Sequence, residues 1–202
     1  MANRLQSRLG VLFAMLCFAG CGTLPTPAST LPLSPVACTQ VFPSHWEINA
    51  ALRLSRGAVA ENFLLALATP GSTPELALLT PQGIPLYRFA CSQEEWSVSR
   101  QARLDLLVEP ERLIAWLQLI YLDEARVSAV LRPGWDWLEE GSRREFQRPG
   151  SGAGSRQSII IERIGSGPWY ESASLVDNGL EDSGLETQLV IRILEASRVL
   201  PE

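Results

Sequence analysis

Apolar and polar residues alternate along residues 46–55, and this pattern predicts a β-strand with one buried and one solvent-facing side. Trp46, Ile48, Ala50, Leu52 and Leu54 share the apolar side, because successive side chains of a strand point to opposite faces. Four more segments of strand character follow, at residues 61–69, 75–80, 84–91 and 96–100. The turns between them are short, so we expect neighbouring strands to run antiparallel.

A helical pattern interrupts the strands at residues 110–122. Pro110 suits the first position of a helix, and Glu109 and Glu111 suit the positive end of its dipole. Residues 113–122 are apolar on nearly every side. We therefore expect a helix that is buried on most of its surface.

Strand patterns resume after the helix, at residues 134–140, 143–148, 158–164, 169–176 and 186–195. The sequence therefore predicts an α+β domain of about ten antiparallel strands, split by one dominant helix.

Residues 1–20 have the order of a secretory signal. Arg4 and Arg8 come first, an apolar run covers residues 10–19, and small residues end the segment. The apolar run is shorter than the ~20 residues that a membrane-spanning helix needs. We therefore exclude residues 1–20 from the fold as a signal peptide.

The end of this segment, Phe18-Ala19-Gly20-Cys21, resembles the lipobox of bacterial lipoproteins. The resemblance implies that Cys21 carries lipid, becomes the first mature residue and anchors the protein on membrane lipid. The alternative is an ordinary signal peptide followed by a chance cysteine. Gly22 differs from the Asp that commonly retains lipoproteins at the inner membrane, so the resemblance also implies the periplasmic face of the outer membrane.

A proline-interrupted segment, residues 21–44, separates the proposed lipidation residue from the first strand. Its prolines are Pro25, Pro27, Pro32, Pro35 and Pro43. This composition predicts an extended tether, and a loop partly packed on the domain is the alternative. The domain itself is expected to span residues 45–199.

Charge and cysteine content narrow the choice of partners. Residues 21–202 contain 15 arginines and 22 acidic residues, a net charge of −7, which excludes nucleic acid as a natural partner. Cys38 and Cys91 remain as an even pair in an oxidising compartment. They form either a disulfide or two separate buried thiols.

The sequence offers little for catalysis. His45 is the single histidine, so a Ser-His-Asp or Cys-His site would have to use it, and a boundary residue before the first strand is the simpler interpretation. No His or Cys residues cluster as metal ligands do. The neighbours Glu139 and Glu140 would point to opposite faces of a strand, as solvated turn ends. We expect no catalytic residue, no metal, no cofactor and no enzyme activity.

Several short segments resemble the LolB family of outer-membrane lipoprotein receptors. They are Phe42-Pro43, residues 78–83 (Leu-Leu-Thr-Pro-Gln-Gly) and residues 110–117 (Pro-Glu-Arg-Leu-Ile-Ala-Trp-Leu). The order of strands, apolar helix and strands is also similar to a related lipoprotein family, a domain of unknown function sometimes encoded near aryl-polyene biosynthesis genes. The resemblance implies an incomplete antiparallel barrel, with a helix covering an apolar cavity that holds acyl chains such as palmitate.

The helix supplies the candidate lining of such a cavity. Leu113, Trp116 and Ile120 would face the hydrocarbon if the helix fits loosely over the sheet. If the fit is tight, the same three residues are ordinary core.

One turn departs from the LolB pattern. The turn that matches Pro81-Gln82-Gly83 reads Pro-Leu-Gly in LolB, where the exposed Leu helps deliver lipoproteins into the membrane. Gln82 stands at that place here, and Ile84 is the nearest apolar residue. A polar amide does not enter acyl chains easily, so Gln82 and Ile84 form only a candidate membrane-facing turn.

Two functional hypotheses follow. In the first, the protein is a periplasmic carrier or acceptor that buries acyl chains or other lipophilic cargo in outer-membrane lipid or lipoprotein trafficking. In the second, it is an accessory interaction lipoprotein that docks an envelope transport or assembly complex and has a filled core with no ligand.

Overall fold

Ten strands pair antiparallel in the structure, a computed structural model that describes residues 31–34, 36–71, 73–102, 106–149, 156–166, 168–178 and 186–199. Residues 1–20 and Cys21, the predicted signal peptide and lipidation site, lie outside the described residues. The strands are β1 (Trp46–Arg56), β2 (Val59–Ala68), β3 (Glu75–Leu79), β4 (Pro85–Ser92), β5 (Glu95–Arg100), β6 (Asp136–Glu140), β7 (Arg143–Pro149), β8 (Arg156–Ile164), β9 (Ser172–Asn178) and β10 (Thr187–Arg198).

The sheet consists of two meanders joined along β1 and β10. Its strand order is β5-β4-β3-β2-β1-β10-β9-β8-β7-β6, so β5 and β6 are the two edges and do not pair with each other. The prediction of a mostly antiparallel sheet of about ten strands is confirmed, and the sheet is not closed, which is consistent with an incomplete barrel. A specific LolA- or LolB-like fold stays a prediction.

One face of the sheet carries the core, as the alternation in β1 predicted. Ile48, Ala50, Leu52 and Leu54 are at most 3% exposed. Leu52 lies opposite Phe63 of β2 on one side and opposite Ile191 of β10 on the other. Cross-strand apolar pairs of this kind stabilise a sheet and fix its register.

Two helices connect the meanders. The first, α1 (Pro110–Tyr121), begins with Pro at its first position and ends when Leu122 turns to an extended conformation. The second, α2 (Glu124–Val130), was not predicted; Asp123 caps it by accepting a hydrogen bond from the Arg126 backbone N–H at 2.9 Å. At seven residues, α2 is too short to produce a clear helical period.

The first helix packs on the apolar face of the sheet. Leu113, Trp116 and Ile120 are 0% exposed and belong to the same core cluster as the inner residues of the strands. Gln118, the one polar residue in the buried run, donates to the Val36 carbonyl at 3.4 Å. Within the described residues, no helix is long and apolar enough to span a bilayer.

The segment before β1 packs on the domain, contrary to the tether expected over residues 21–44. We call residues 31–34 and 36–44 the arm. Leu33, Val36 and Val41 are at most 8% exposed, and Leu33 forms a β-bridge with Leu131. The alternative of a packed loop therefore describes these residues, because three apolar side chains find buried positions against α1 and α2.

Candidate apolar binding site

An apolar pocket lies between the C-terminal half of α1 and the inner face of the sheet. Its volume is about 10 Å³, no more than the space that one water molecule needs. We call it the pocket. Its lining residues come from the arm, four strands, α1 and the loop between β8 and β9, and they are Phe42, Ile48, Ala50, Leu65, Leu67, Leu76, Leu117, Tyr121, Trp169, Ile191 and Ile193.

Aromatic rings close one end of the pocket. Phe42 of the arm stacks on Trp169 with ring centroids 5.8 Å apart, and contacts Tyr121 at 5.7 Å and Trp96 at 6.3 Å. Tyr121 also lies 5.1 Å from Trp169. We call Phe42, Trp96, Tyr121 and Trp169 the aromatic cluster. Such ring pairs stabilise by about 0.5–1.5 kcal/mol beyond their buried area.

Trp169 reaches this cluster from a loop, although the sequence suggested that β9 begins there. The strand begins at Ser172 instead. Gly165 has φ +102, and a Cβ at that position would come within 2.8 Å of the Glu171 nitrogen. The close approach of the two loop ends therefore favours glycine.

A disulfide holds the arm beside the aromatic cluster. Cys38 and Cys91 are bonded with their Cα atoms 5.8 Å apart, which selects the paired form of the two alternatives left open by the sequence. The Cys38 backbone N–H donates to the Glu94 carbonyl at 3.1 Å. Further along, the Pro43 carbonyl accepts from the Thr69 hydroxyl at 2.8 Å. The arm is therefore fixed on both sides of Phe42.

The three residues proposed as cavity lining sit elsewhere on α1. Leu113, Trp116 and Ile120 are fully buried, and none of them lines the pocket, which α1 contacts through Leu117 and Tyr121. The sequence placed the helix correctly over the sheet but could not tell which side of it meets open space, since all sides are apolar.

A family model described as a protein of unknown function (DUF3261) matches residues 47–178. The chain belongs to this family. None of the curated proteins matches the sequence. Among solved structures, the crystal structure of MucB in complex with MucA(peri) is similar at 14% identity over 77% of this chain and 68% of that chain, with a TM-score of 0.18. A TM-score this low supports no conclusion about this DUF3261 protein, and the resemblance to LolB stays a prediction.

A buried carboxylate lies near the N-terminal half of α1 in this DUF3261 protein. Asp177 of β9 is 0% exposed; the Trp116 indole donates to its Oδ2 at 3.3 Å, and the Arg112 guanidinium lies 3.8 Å away. Burial raises the pKa of Asp177 to about 7, against the opposing effects of Arg112 and Trp116. The group therefore titrates near neutral pH, a property that no pattern in the sequence indicates.

An ion network anchors the other end of α1. Arg144 of β7 is 1% exposed and donates to the Leu119 and Leu122 carbonyls at 2.8 Å each. Its guanidinium also binds Glu139 at 2.7 Å, and Arg163 binds the other oxygen of the same carboxylate. Burial works to raise the pKa of Glu139, but the two arginines outweigh it and hold the pKa below its ordinary value.

Glu139 is therefore not the solvated turn end that the sequence suggested. Period-two alternation does place it on the inner side of β6, but the buried partners that neutralise it lie on β7 and β8. Sequence spacing alone does not reveal such partners.

The candidate membrane-facing turn is exposed. Gln82 is exposed and Ile84 is 57% exposed, and Gly83 adopts φ +82, a conformation that favours glycine. The Thr80 N–H donates to the Ile84 carbonyl at 2.9 Å and closes the turn. Contact of this turn with a membrane stays a prediction.

His45 lies at the boundary before β1. Its backbone N–H donates to the Thr69 carbonyl at 2.7 Å, and its own carbonyl accepts from Val199. In the described part of the chain, no three His, Cys, Asp or Glu residues are grouped to hold a metal ion.

Proposed function

We propose that this DUF3261 protein is a membrane-anchored lipoprotein of the bacterial envelope that binds an acyl chain or a similar lipophilic chain, as a carrier or acceptor in outer-membrane lipid or lipoprotein trafficking. The observation that supports it is the pocket. Its lining is made of aliphatic and aromatic side chains, and sites of this composition suit apolar ligands, which bind by the area that they remove from water. The proposal includes no catalytic step and no cofactor.

The pocket must open for a chain to enter. A volume of about 10 Å³ holds no hydrocarbon chain. One wall, α1, is tied down by Arg144 and Glu139, whereas the arm contributes a single side chain, Phe42, to the lining. Displacement of the single Phe42 side chain is therefore a smaller change than movement of α1, and it would enlarge the pocket.

The packed arm also shortens the link to the proposed anchor. Leu31 is the first described residue and lies ten positions after Cys21, so that stretch reaches at most about 35 Å. If Cys21 carries lipid, the domain is held close to the membrane surface.

Native mass spectrometry of the full chain, extracted from membranes in mild detergent, tests the proposal. We expect wild type to retain a lipid beyond its own anchor. Ala50→Ile fills the pocket from β1 and should abolish retention, at about 1–3 kcal/mol of stability for overpacking. Ala173→Ile is the matched control, because Ala173 is equally buried, at 3% exposed, and lies outside the pocket. If Ala50→Ile and Ala173→Ile retain equal amounts of lipid, the proposal is contradicted.

The filled packing around Trp116 favours a second candidate, the accessory interaction protein without a ligand. Trp116 is 0% exposed and hydrogen-bonded, as in an ordinary core. For this candidate, Trp116→Ala should lower the free energy of unfolding by about 3–5 kcal/mol and change no lipid binding. The second candidate is favoured over the first if wild type retains no lipid and Trp116→Ala shows this decrease in the free energy of unfolding.

A further inference from the structure

Phe42 occupies the end of the pocket as a ligand would. Its ring lies between Trp96, Tyr121 and Trp169, with centroid distances from 5.7 to 6.3 Å. The neighbouring side chain Val41 is 4% exposed but does not line the pocket. Phe42 is thus the arm side chain that lies among the other three rings of the aromatic cluster and lines the pocket.

Two of the indole rings that contact Phe42 carry a hydrogen-bond donor without an acceptor in the part of the chain that the structure describes. The Nε1 atoms of Trp96 and Trp169 are buried and have no hydrogen-bond partner among the described residues, and Trp169 is 8% exposed. A buried N–H without an acceptor is unfavourable, because it has lost water without gaining a partner. Both rings contact Phe42, so an acceptor that replaced the phenyl ring would lie beside two indole rings whose N–H groups have no partner among the described residues.

The Phe42 side chain can move away from the surrounding aromatic rings while the rest of the arm stays attached. The disulfide fixes Cys38, and the Thr69 hydroxyl holds the Pro43 carbonyl. Rotation of the Phe42 side chain would vacate the end of the pocket without breaking either attachment. The attached arm then returns Phe42 when no ligand is bound.

We propose that the Phe42 side chain occupies the ligand site when no ligand is bound. The natural ligand that replaces it is an acyl chain with a carbonyl oxygen at its head. This inference rests on the proposed function. The first carbons of the chain take the space of the phenyl ring, the pocket widens to hold the rest of the chain, and the carbonyl oxygen accepts hydrogen bonds from the indole N–H groups of Trp96 and Trp169. Phe42 and the ligand therefore compete for one position.

Photo-crosslinking in nanodiscs tests the competition on the full chain. The probe is a hexadecanoic acid with a photoreactive diazirine, and the readout is the yield of adducts on the peptide that contains Leu117 and Tyr121. Phe42→Ala should raise this yield by about tenfold, because a competent site becomes the main population. Val41→Ala is the matched control, which removes a buried arm side chain outside the pocket and should leave the yield close to that of wild type.

A second pair of variants tests the carbonyl. In the Phe42→Ala background, the acid probe is compared with a diazirine alkane of the same length. Trp169→Phe keeps a ring but removes the donor, and should reduce the preference for the acid about threefold or more, as expected for the loss of one hydrogen bond. Trp135→Phe is the control, because the Trp135 Nε1 is also buried with no hydrogen-bond partner in the described part of the chain, and Trp135 does not line the pocket.

The outcomes separate this inference from the proposed function. If wild type crosslinks as strongly as Phe42→Ala, the pocket binds chains but Phe42 does not compete, and the inference is wrong. If Trp169→Phe and Trp135→Phe reduce the preference for the acid probe equally, the indole N–H groups beside Phe42 do not bind the carbonyl oxygen. If no variant gives adducts on the peptide that contains Leu117 and Tyr121, the proposed function fails together with the inference.

Discussion

Asp177 shows what one buried residue contributes to the properties of the whole protein. Period-two alternation places it on the inner face of β9, where a carboxylate loses its hydration. Trp116 and Arg112 compensate only in part, since the Oδ1 atom has no hydrogen-bond partner among the described residues. The sequence shows an acidic residue before a turn and gives no sign of this environment, because Trp116 and Arg112 are more than 60 positions away.

Asp177 should make stability fall as pH rises toward neutrality. Its pKa is raised to about 7 in the folded protein and is ordinary, near 4, in the unfolded chain. The stabilising contribution is complete below about pH 4 and is lost as pH rises through 7. Asp177→Asn should remove this part of the pH dependence and stabilise the protein above pH 7.

Thermal unfolding between pH 5 and 8 measures the effect. Glu139, with its lowered pKa, is already ionised over this range in both states and does not mask it. Asp136→Asn, at an exposed position of β6, is the control and should leave the pH profile unchanged. An identical slope of Tm against pH in wild type and Asp177→Asn would contradict the assignment.

At the scale of elements, α1 is held by polar groups at both ends and by apolar packing between them. The apolar packing was predictable from residues 113–122, which have no polar face. The polar anchors were not, because Arg144 reads as an ordinary strand residue next to Arg143. The two arginines lie on opposite faces of β7. The Arg143 side chain points outward and is 46% exposed, whereas the Arg144 side chain points beneath the helix and is 1% exposed.

Arg144→Met should destabilise the protein by about 3–5 kcal/mol, since it leaves a partly buried carboxylate and two helix carbonyls with fewer partners. Arg143→Met should change the free energy of unfolding by less than about 1 kcal/mol, because exposed ion pairs contribute little. Urea unfolding of both variants provides the comparison. Similar losses in the two variants would show that the network does not anchor α1.

At the scale of the molecule, the Cys38–Cys91 disulfide joins the arm, which precedes β1, to β4. The number and direction of the strands could be predicted, because each strand has a local period and each turn is short. The packing of the arm could not, since Pro-rich composition is shared by free tethers and by packed loops. Cys38 was the one residue that kept the packed alternative open.

The Cys38–Cys91 bond closes a loop with a sequence separation of 53. Chain-entropy arguments give such a loop about 4 kcal/mol of stabilisation. The double variant Cys38→Ala/Cys91→Ala should therefore unfold at lower denaturant concentration, and a reductant should shift wild type but not the variant. If a reductant leaves the unfolding midpoint of wild type unchanged, the disulfide is absent or does not constrain the unfolded chain.

Methyl NMR of the full chain in nanodiscs, titrated with hexadecanoic acid, shows whether the inner face of the sheet binds an acyl chain. We predict saturable shifts of the pocket methyl groups Leu65, Leu67, Leu76, Leu117 and Ile191, with Ile84, Leu138 and Leu194 on the exposed surface unchanged. Shifts confined to these exposed residues, or no shifts at all, would contradict the claim that the inner face of the sheet binds an acyl chain.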